Sequence, residues 1–129
     1  MMPELAERIT GSEVEVLEIL WQAGEPLPVA PIRTRLEEER GWDASTVKTL
    51  LRRLCDKGAV MAEKREVFYY RPLLDREGYR RWSARSLLDR VFGGSARDLI
   101  ASLVEEHPLS QGDLEELREI LYSTGEQNG

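Results

Sequence analysis

The chain holds one cysteine and one histidine in 129 residues. A lone cysteine, Cys55, forms no intrachain disulfide, so stability must come from an apolar core. One Cys and one His (His107, just before Pro108) cannot assemble an ordinary zinc ligand set, and no metal or cofactor is expected. The sequence contains neither a glycine-rich phosphate loop nor a dinucleotide fingerprint. Cys55 falls on the apolar side of its helix, which suits a packed core residue better than a nucleophile. The many carboxylates alternate with Lys and Arg on helix faces, which reads as solvation. Enzymatic function is therefore not expected. No apolar run approaches the roughly 18–20 residues that cross a bilayer. Met1 to Arg8 carries acidic residues where a secretory signal would have a positive start and an apolar stretch. Cytoplasmic residence without membrane insertion is the expectation.

What is present is 41% hydrophobic and 33% charged, a balance that suits a soluble helical protein and is too apolar for disorder. The length allows one domain with a core, or a small domain with an appendage. Formal net charge is −6, but phosphate binding depends on a local basic face and not on the total. From Ala44 to Arg71 seven basic residues face three acidic ones, a net of +4. From Asp75 onward seven Arg face eleven Asp and Glu, a net of −4. Charge is polarised along the chain.

Helix signals come in sequence. Ser12-Glu13-Val14-Glu15 has the form of a capping box, followed by Val14, Leu17, Leu20 and Trp21 at helical spacing and a stop at Gly24. A second helix is predicted from Val29 to Arg40, with Ile32 and Leu36 inward and Gly41 ending it. Asp43 is the N-cap candidate of a third helix that Gly58 terminates. Val60–Lys64 and Val67–Arg71, rich in β-branched and aromatic residues, flank the charged pair Arg65-Glu66 and predict a hairpin closed by Pro72. Phe68 and Tyr70 alternate with Tyr69, so one face of the hairpin should pack on the helices. A long helix follows from Asp75 to Phe92, then Gly93-Gly94, and then two further helices, the last starting near Ser110. The polar end from Thr124 is expected to fray. The fold class is mainly α with a small β-hairpin: a winged helix-turn-helix domain over residues 1–74 and a helical dimerisation tail over 75–129.

At about 100° per residue the third helix divides cleanly. Ser45, Thr46, Lys48, Thr49, Arg52, Arg53, Asp56 and Lys57 share one arc, while Val47, Leu50, Leu51, Leu54 and Cys55 share the other. Hydroxyls in the first turns suit base edges in a major groove, and the longer cations suit phosphates or guanine. A solvated helix usually mixes Glu with Lys at this density, as Glu37-Glu38-Glu39 does nearby, yet acidic residues are absent here until Asp56. The predicted DNA-binding set is Ser45, Thr46, Lys48, Thr49, Arg52 and Arg53, joined by Lys64 and Arg65 at the hairpin tip.

From about Ile9 to Leu121 the chain resembles the penicillinase repressor family, the BlaI/MecI/CopY group. The resemblance is carried by Ser12-Glu13-Val14-Glu15-Val16-Leu17 with Trp21, by Trp42-Asp43-Ala44-Ser45-Thr46-Val47-Lys48-Thr49-Leu50-Leu51-Arg52-Arg53-Leu54, and by Lys57-Gly58. Phe68-Tyr69-Tyr70, Gly93-Gly94, Leu109-Ser110-Gln111 and Glu115-Glu116-Leu117 complete it. It implies a homodimeric repressor on a palindromic double-stranded operator. By position it makes Ser45, Thr46 and Thr49 base contacts, and Lys48, Arg52 and the wing backbone contacts. The β-lactam-responsive members answer to a sensor protease and are cleaved between Asn and Phe in the first tail helix; here those positions are Ser102 and Leu103. The Cys-x-Cys copper site of other members has no counterpart, since the tail contains no cysteine.

The tail carries Leu99, Ile100, Leu103, Val104, Leu114, Leu117, Ile120 and Leu121, more apolar surface than two short helices bury between themselves. Packing on a symmetry mate resolves this, and these eight are the expected dimerisation residues. Gly93-Gly94 is a candidate hinge. Two alternatives use the same elements: a winged helix that binds protein, and a regulator that holds a small inducer against Tyr79, Trp82 and Arg85.

Overall fold

Thr10 caps the first long helix, two residues before the expected Ser12. Its hydroxyl accepts from the Glu13 N–H at 3.3 Å, and Glu13 Oε1 accepts from the Thr10 N–H at 2.8 Å. Two Ser/Thr-x-x-Glu frames overlap in this stretch. The frame adopted turns Glu13 inward, where Lys57 meets it, a partner that local spacing does not reveal. The structure, a computed structural model, describes residues 2–128 and divides into one unit up to Ala84 and another from Arg85.

In the first unit a short α1 (Met2–Glu7) precedes α2 (Gly11–Ala23), α3 (Val29–Arg40) and α4 (Ala44–Asp56). The bounds of α3 match the expectation, and α4 is the third helix of the sequence reading. Val16, Leu17 and Leu20 of α2 meet Ile32 and Leu36 of α3 and Val47, Leu51 and Leu54 of α4, each at most 1% exposed. Fully burying such a side chain is worth roughly 1.5–3 kcal/mol, so this cluster sets the angles among the three helices. Asp43 caps α4, accepting from the Thr46 N–H at 2.8 Å. At its other end Gly58 is left-handed (φ 81°). The Gly58 N–H reaches Cys55 O and the Ala59 N–H reaches Leu54 O, the Schellman pattern that a residue with Cβ adopts only with strain.

The hairpin differs from the expected one by a residue. β2 (Val60–Lys64) and β3 (Phe68–Pro72) pair antiparallel, Val60 opposite Pro72 and Lys64 opposite Phe68. Val67 therefore joins Arg65-Glu66 in a three-residue loop, in which the Arg65 N–H donates to Val67 O at 3.0 Å. A third strand, β1 (Leu27–Pro28), pairs with Tyr70 and Tyr69, giving the order β1-β3-β2. Two residues ending in proline give no strand signal; β1 exists because α2 and α3 deliver it to the open edge of β3. Tyr70 packs on the core, but Phe68 remains 47% exposed, so only part of the aromatic alternation is buried. Trp21 Nε1 donates to Leu74 O at 2.9 Å and fixes the exit from the sheet. Tyr79 lies between Trp21 and Trp82, with ring centroids at 6.0 and 6.1 Å.

The division between units falls inside α5 (Arg76–Val91). The second unit continues with α6 (Ala96–Glu106), capped by Ser95, and α7 (Gln111–Asn128), at whose start Ser110 Oγ accepts from the Asp113 N–H. Of the segment expected to fray, residues 124–128 stay within α7, and Gly129 lies outside the described residues. Thr124 turns its hydroxyl back to Ile120 O at 3.0 Å, which satisfies it without leaving the helix. Gly93 and Gly94 (φ 55° and 83°) form a left-handed turn in which the Gly94 N–H donates to Leu88 O.

Candidate nucleic-acid interface

α4 presents Ser45, Thr46, Lys48, Arg52 and Arg53 to solvent and Thr49 half-buried, while Val47, Leu50, Leu51 and Leu54 are closed into the core. Six of the eight predicted DNA-contacting residues thus share one helical face. Lys64 and Arg65, also exposed, stand at the end of β2 and in the wing loop.

Charge pairing sorts the cations of Ala44–Arg71 into two groups. Lys57 is internal: its ammonium sits 2.6 Å from Glu13 Oε1 and 2.7 Å from Arg8 O. Arg71 binds Glu63 at 2.9 Å, and Arg65 approaches the same carboxylate at 3.5 Å while stacking 4.5 Å from the centre of the Tyr69 ring. The Arg71 hydrogen bond, outweighing some desolvation, holds the Glu63 carboxyl below its ordinary range. Lys48, Arg52, Arg53 and Lys64 have no carboxylate within ion-pair distance among the described residues. Lys64 stands 5.8 Å over the ring of Phe68. The count of seven bases therefore overstates the free basic surface, yet the four cations left unpaired lie together on α4 and the wing.

The start of α4 is polar in a directed way. The Thr46 N–H, with the Thr46 and Ser45 hydroxyls, keeps the exposed Asp43 carboxyl below its usual range. Ser45 Oγ donates to Asp43 Oδ1 at 3.1 Å. With its proton committed there, Ser45 faces outward mainly as an acceptor, suited to an amino group on a base edge. On the reverse side, burial and the neighbouring Asp56 push the Cys55 thiol up, so Cys55 is a neutral thiol at physiological pH.

Sequence reasoning missed the ion pair that anchors this helix. Glu13, 1% exposed, meets Lys57 across 44 positions in sequence. Burial works against the Glu13 charge, but hydrogen bonds from Lys57 and Thr10 with the Lys57 charge prevail, and its carboxyl lies below the ordinary range. A Glu at N3 of a capping box is the one local signal, and it does not foretell burial.

In the second unit Leu99 is half-buried. Ile100, Leu103, Val104, Leu114, Leu117, Ile120 and Leu121 stay 38–60% exposed, and Tyr122, absent from the sequence expectation, is 75% exposed. Ser102 is half-buried beside the exposed Leu103 on α6. Of the three residues read as an inducer pocket, Tyr79 is taken up by the row with Trp21 and Trp82. Arg85 pairs with Asp89 one turn on, at 3.1 Å. Among the described residues, no helix is long and apolar enough to cross a membrane.

Comparison with known proteins places this arrangement among regulators. The profile of the family described as penicillinase repressor matches residues 9–123. The methicillin resistance regulatory protein MecI of Mammaliicoccus sciuri is 30% identical over 114 residues, covering 88% of this chain and 92% of that protein. The penicillinase repressor of Bacillus licheniformis is 29% identical over 115 residues, 88% and 89% of the two chains. An uncharacterized 16.5 kDa protein of Latilactobacillus sakei is 31% identical over 121 residues, 93% and 82% of the two.

Proposed function

Because this chain belongs to the penicillinase repressor family, we propose that it represses transcription as a homodimer on a palindromic double-stranded operator, with residues 1–74 as the reading head and 75–129 as the dimerisation region. The observation that carries this reading is α4 itself. Its leucines are locked into the core, while three unpaired cations and three hydroxyl residues share the opposite face. Thr46 and Thr49 read base edges in the major groove, the Thr methyl groups meeting thymine methyls, and Ser45 accepts from a base amino group. Lys48, Arg52 and Arg53, with Lys64 and Arg65 on the wing, hold the phosphates and set the register. Nothing in this role calls for catalysis.

The apolar stripe of α6 and α7 is the surface a second copy covers. One winged head offers modest contact area, and two heads joined by the tail engage half-sites roughly 34 Å apart, so dimerisation and specificity are one requirement. Release follows an inducing signal. Scission between Ser102 and Leu103 would divide α6 within the stripe and part Leu103, Val104 and all of α7 from the head, which is how a sensor protease would dissolve the dimer.

A salt titration tests the reading. Duplex fragments selected from genomic DNA by the purified protein are titrated at several salt concentrations. Log K should fall against log salt with a slope of roughly −0.9 per phosphate contacted, several units for a dimer. A flat response would exclude DNA as the ligand and favour a protein-binding winged helix.

A further inference from the structure

Between α4 and the β2–β3 hairpin lies a groove of about 240 Å³ lined by Lys48, Arg52, Cys55, Ala62, Phe68 and Tyr70. Lys48 and Arg52 stand four residues apart, one turn along the same face, a spacing at which like charges repel. Neither has a carboxylate partner among the described residues. Beneath them the surface is aromatic. Phe68 is nearly half exposed, and Tyr70, half-buried against the core, also lines the groove, opposite Ala62. The remaining wall is the uncharged Cys55 thiol. Two unneutralised cations over two rings and a methyl group describe the complement of a flat apolar molecule with one negative end.

We propose that this groove binds a small aromatic carboxylate, the carboxylate between Lys48 and Arg52 and the ring against Phe68 and Tyr70, and that its occupancy competes with the operator. The competition rests on the reading of α4 as the DNA-facing helix; binding in the groove does not. An anion placed between the two cations removes their mutual repulsion, and the aromatic walls favour a stacked or edge-on ring over an aliphatic chain. Because the ligand occupies the same two cations that the phosphates need, no conformational relay is required for release. The volume accommodates one or two fused rings. A ligand of about a dozen heavy atoms should bind with Kd on the order of 1 mM.

Naphthoate is a suitable probe, and Cys55, the sole cysteine, is a built-in reporter at the back of the groove. Maleimide labelling of Cys55 in the full-length protein should slow about tenfold at ~10 mM naphthoate. Acetate at the same ionic strength should leave the rate unchanged. In the same solutions naphthoate should weaken operator binding by about tenfold relative to acetate. Ala62→Leu, which fills the groove from an exposed strand position, should abolish both effects and keep operator affinity. Unprotected Cys55, equal protection by acetate, or equal protection in Ala62→Leu would each overturn the site. Protection with unchanged operator affinity would overturn the competition. If the protein ignored DNA altogether, the labelling arm would still decide the groove, and the failure would belong to the repressor reading.

Discussion

Replacing Lys57 with methionine separates structural charge from DNA-binding charge in one chain. Glu13 is 1% exposed and accepts from the Thr10 N–H at 2.8 Å and the Lys57 ammonium at 2.6 Å, while its second oxygen, Oε2, has no partner. Lys57 also donates to Arg8 O at 2.7 Å and keeps a fifth of its side chain in contact with solvent. Lys57→Met leaves a buried carboxylate on one backbone N–H. Breaking a buried pair this way costs about 3–5 kcal/mol, and the surviving Thr10 bond with the partial exposure of Lys57 places the loss near ~3 kcal/mol. For a chain of 129 residues that corresponds to a fall in Tm of about 10 °C. Adding Glu13→Leu removes the stranded charge, and the double variant should regain most of the loss, because replacing both partners of a buried pair by apolar groups is often neutral.

The pH dependence has a fixed sign. The Glu13 carboxyl titrates below its ordinary 4.5 in the folded protein, so the pair's contribution is fully present above that value. It is lost as pH falls through the lowered folded value. Wild type should therefore lose more stability than the double variant on acidification below about pH 4.5. Urea denaturation followed by circular dichroism, at neutral pH and on acidification, measures all three. A Lys57→Met variant within about 0.5 kcal/mol of wild type, or a double variant as unstable as the single, would refute the reasoning. Because Lys57 points inward, Lys57→Met should leave the salt slope of DNA binding unchanged at temperatures where it is folded.

Three further outcomes follow from the same geometry. Thr46→Ala and Thr49→Ala should each relax base preference, and Arg52→Ala should weaken all duplexes alike and reduce the salt slope by roughly 0.9; binding selection against a randomised operator distinguishes the two patterns. Ile120, 60% exposed on α7, regains about 1–2 kcal/mol per protomer when covered. Ile120→Asp should thus raise the dimer dissociation constant by at least ~30-fold in sedimentation equilibrium, since both copies change. Replacing Gly93 and Gly94 with Ala puts Cβ atoms on two left-handed residues and should destabilise the turn by roughly 1–2 kcal/mol per residue. Hydrogen exchange at Phe92 to Ser95 reads that loss. If the pair serves as a hinge, operator affinity should fall while the dimer persists.

Local chemistry alone determined the face of α4 and the helices from α2 onward, apart from the cap of α2, while α1 was not read from the sequence. Val29–Arg40 and the Asp43 cap were legible because caps, left-handed glycines and period-3.6 leucines act within a few residues of each other. The division of α4 into hydroxyls and cations against leucines is likewise a property of thirteen consecutive residues. Tertiary structure decided what depends on partners far along the chain. It chose Thr10 over Ser12, in the frame in which Glu13 meets Lys57. It created β1 by supplying an edge, and it withdrew Lys57 and Arg71 from the free cations by pairing them. It also set Lys48 and Arg52 opposite the hairpin rings. The physical reason is one of range: capping and periodicity are decided by neighbours in sequence, whereas burial and charge neutralisation depend on whichever group the fold brings within about 3 Å.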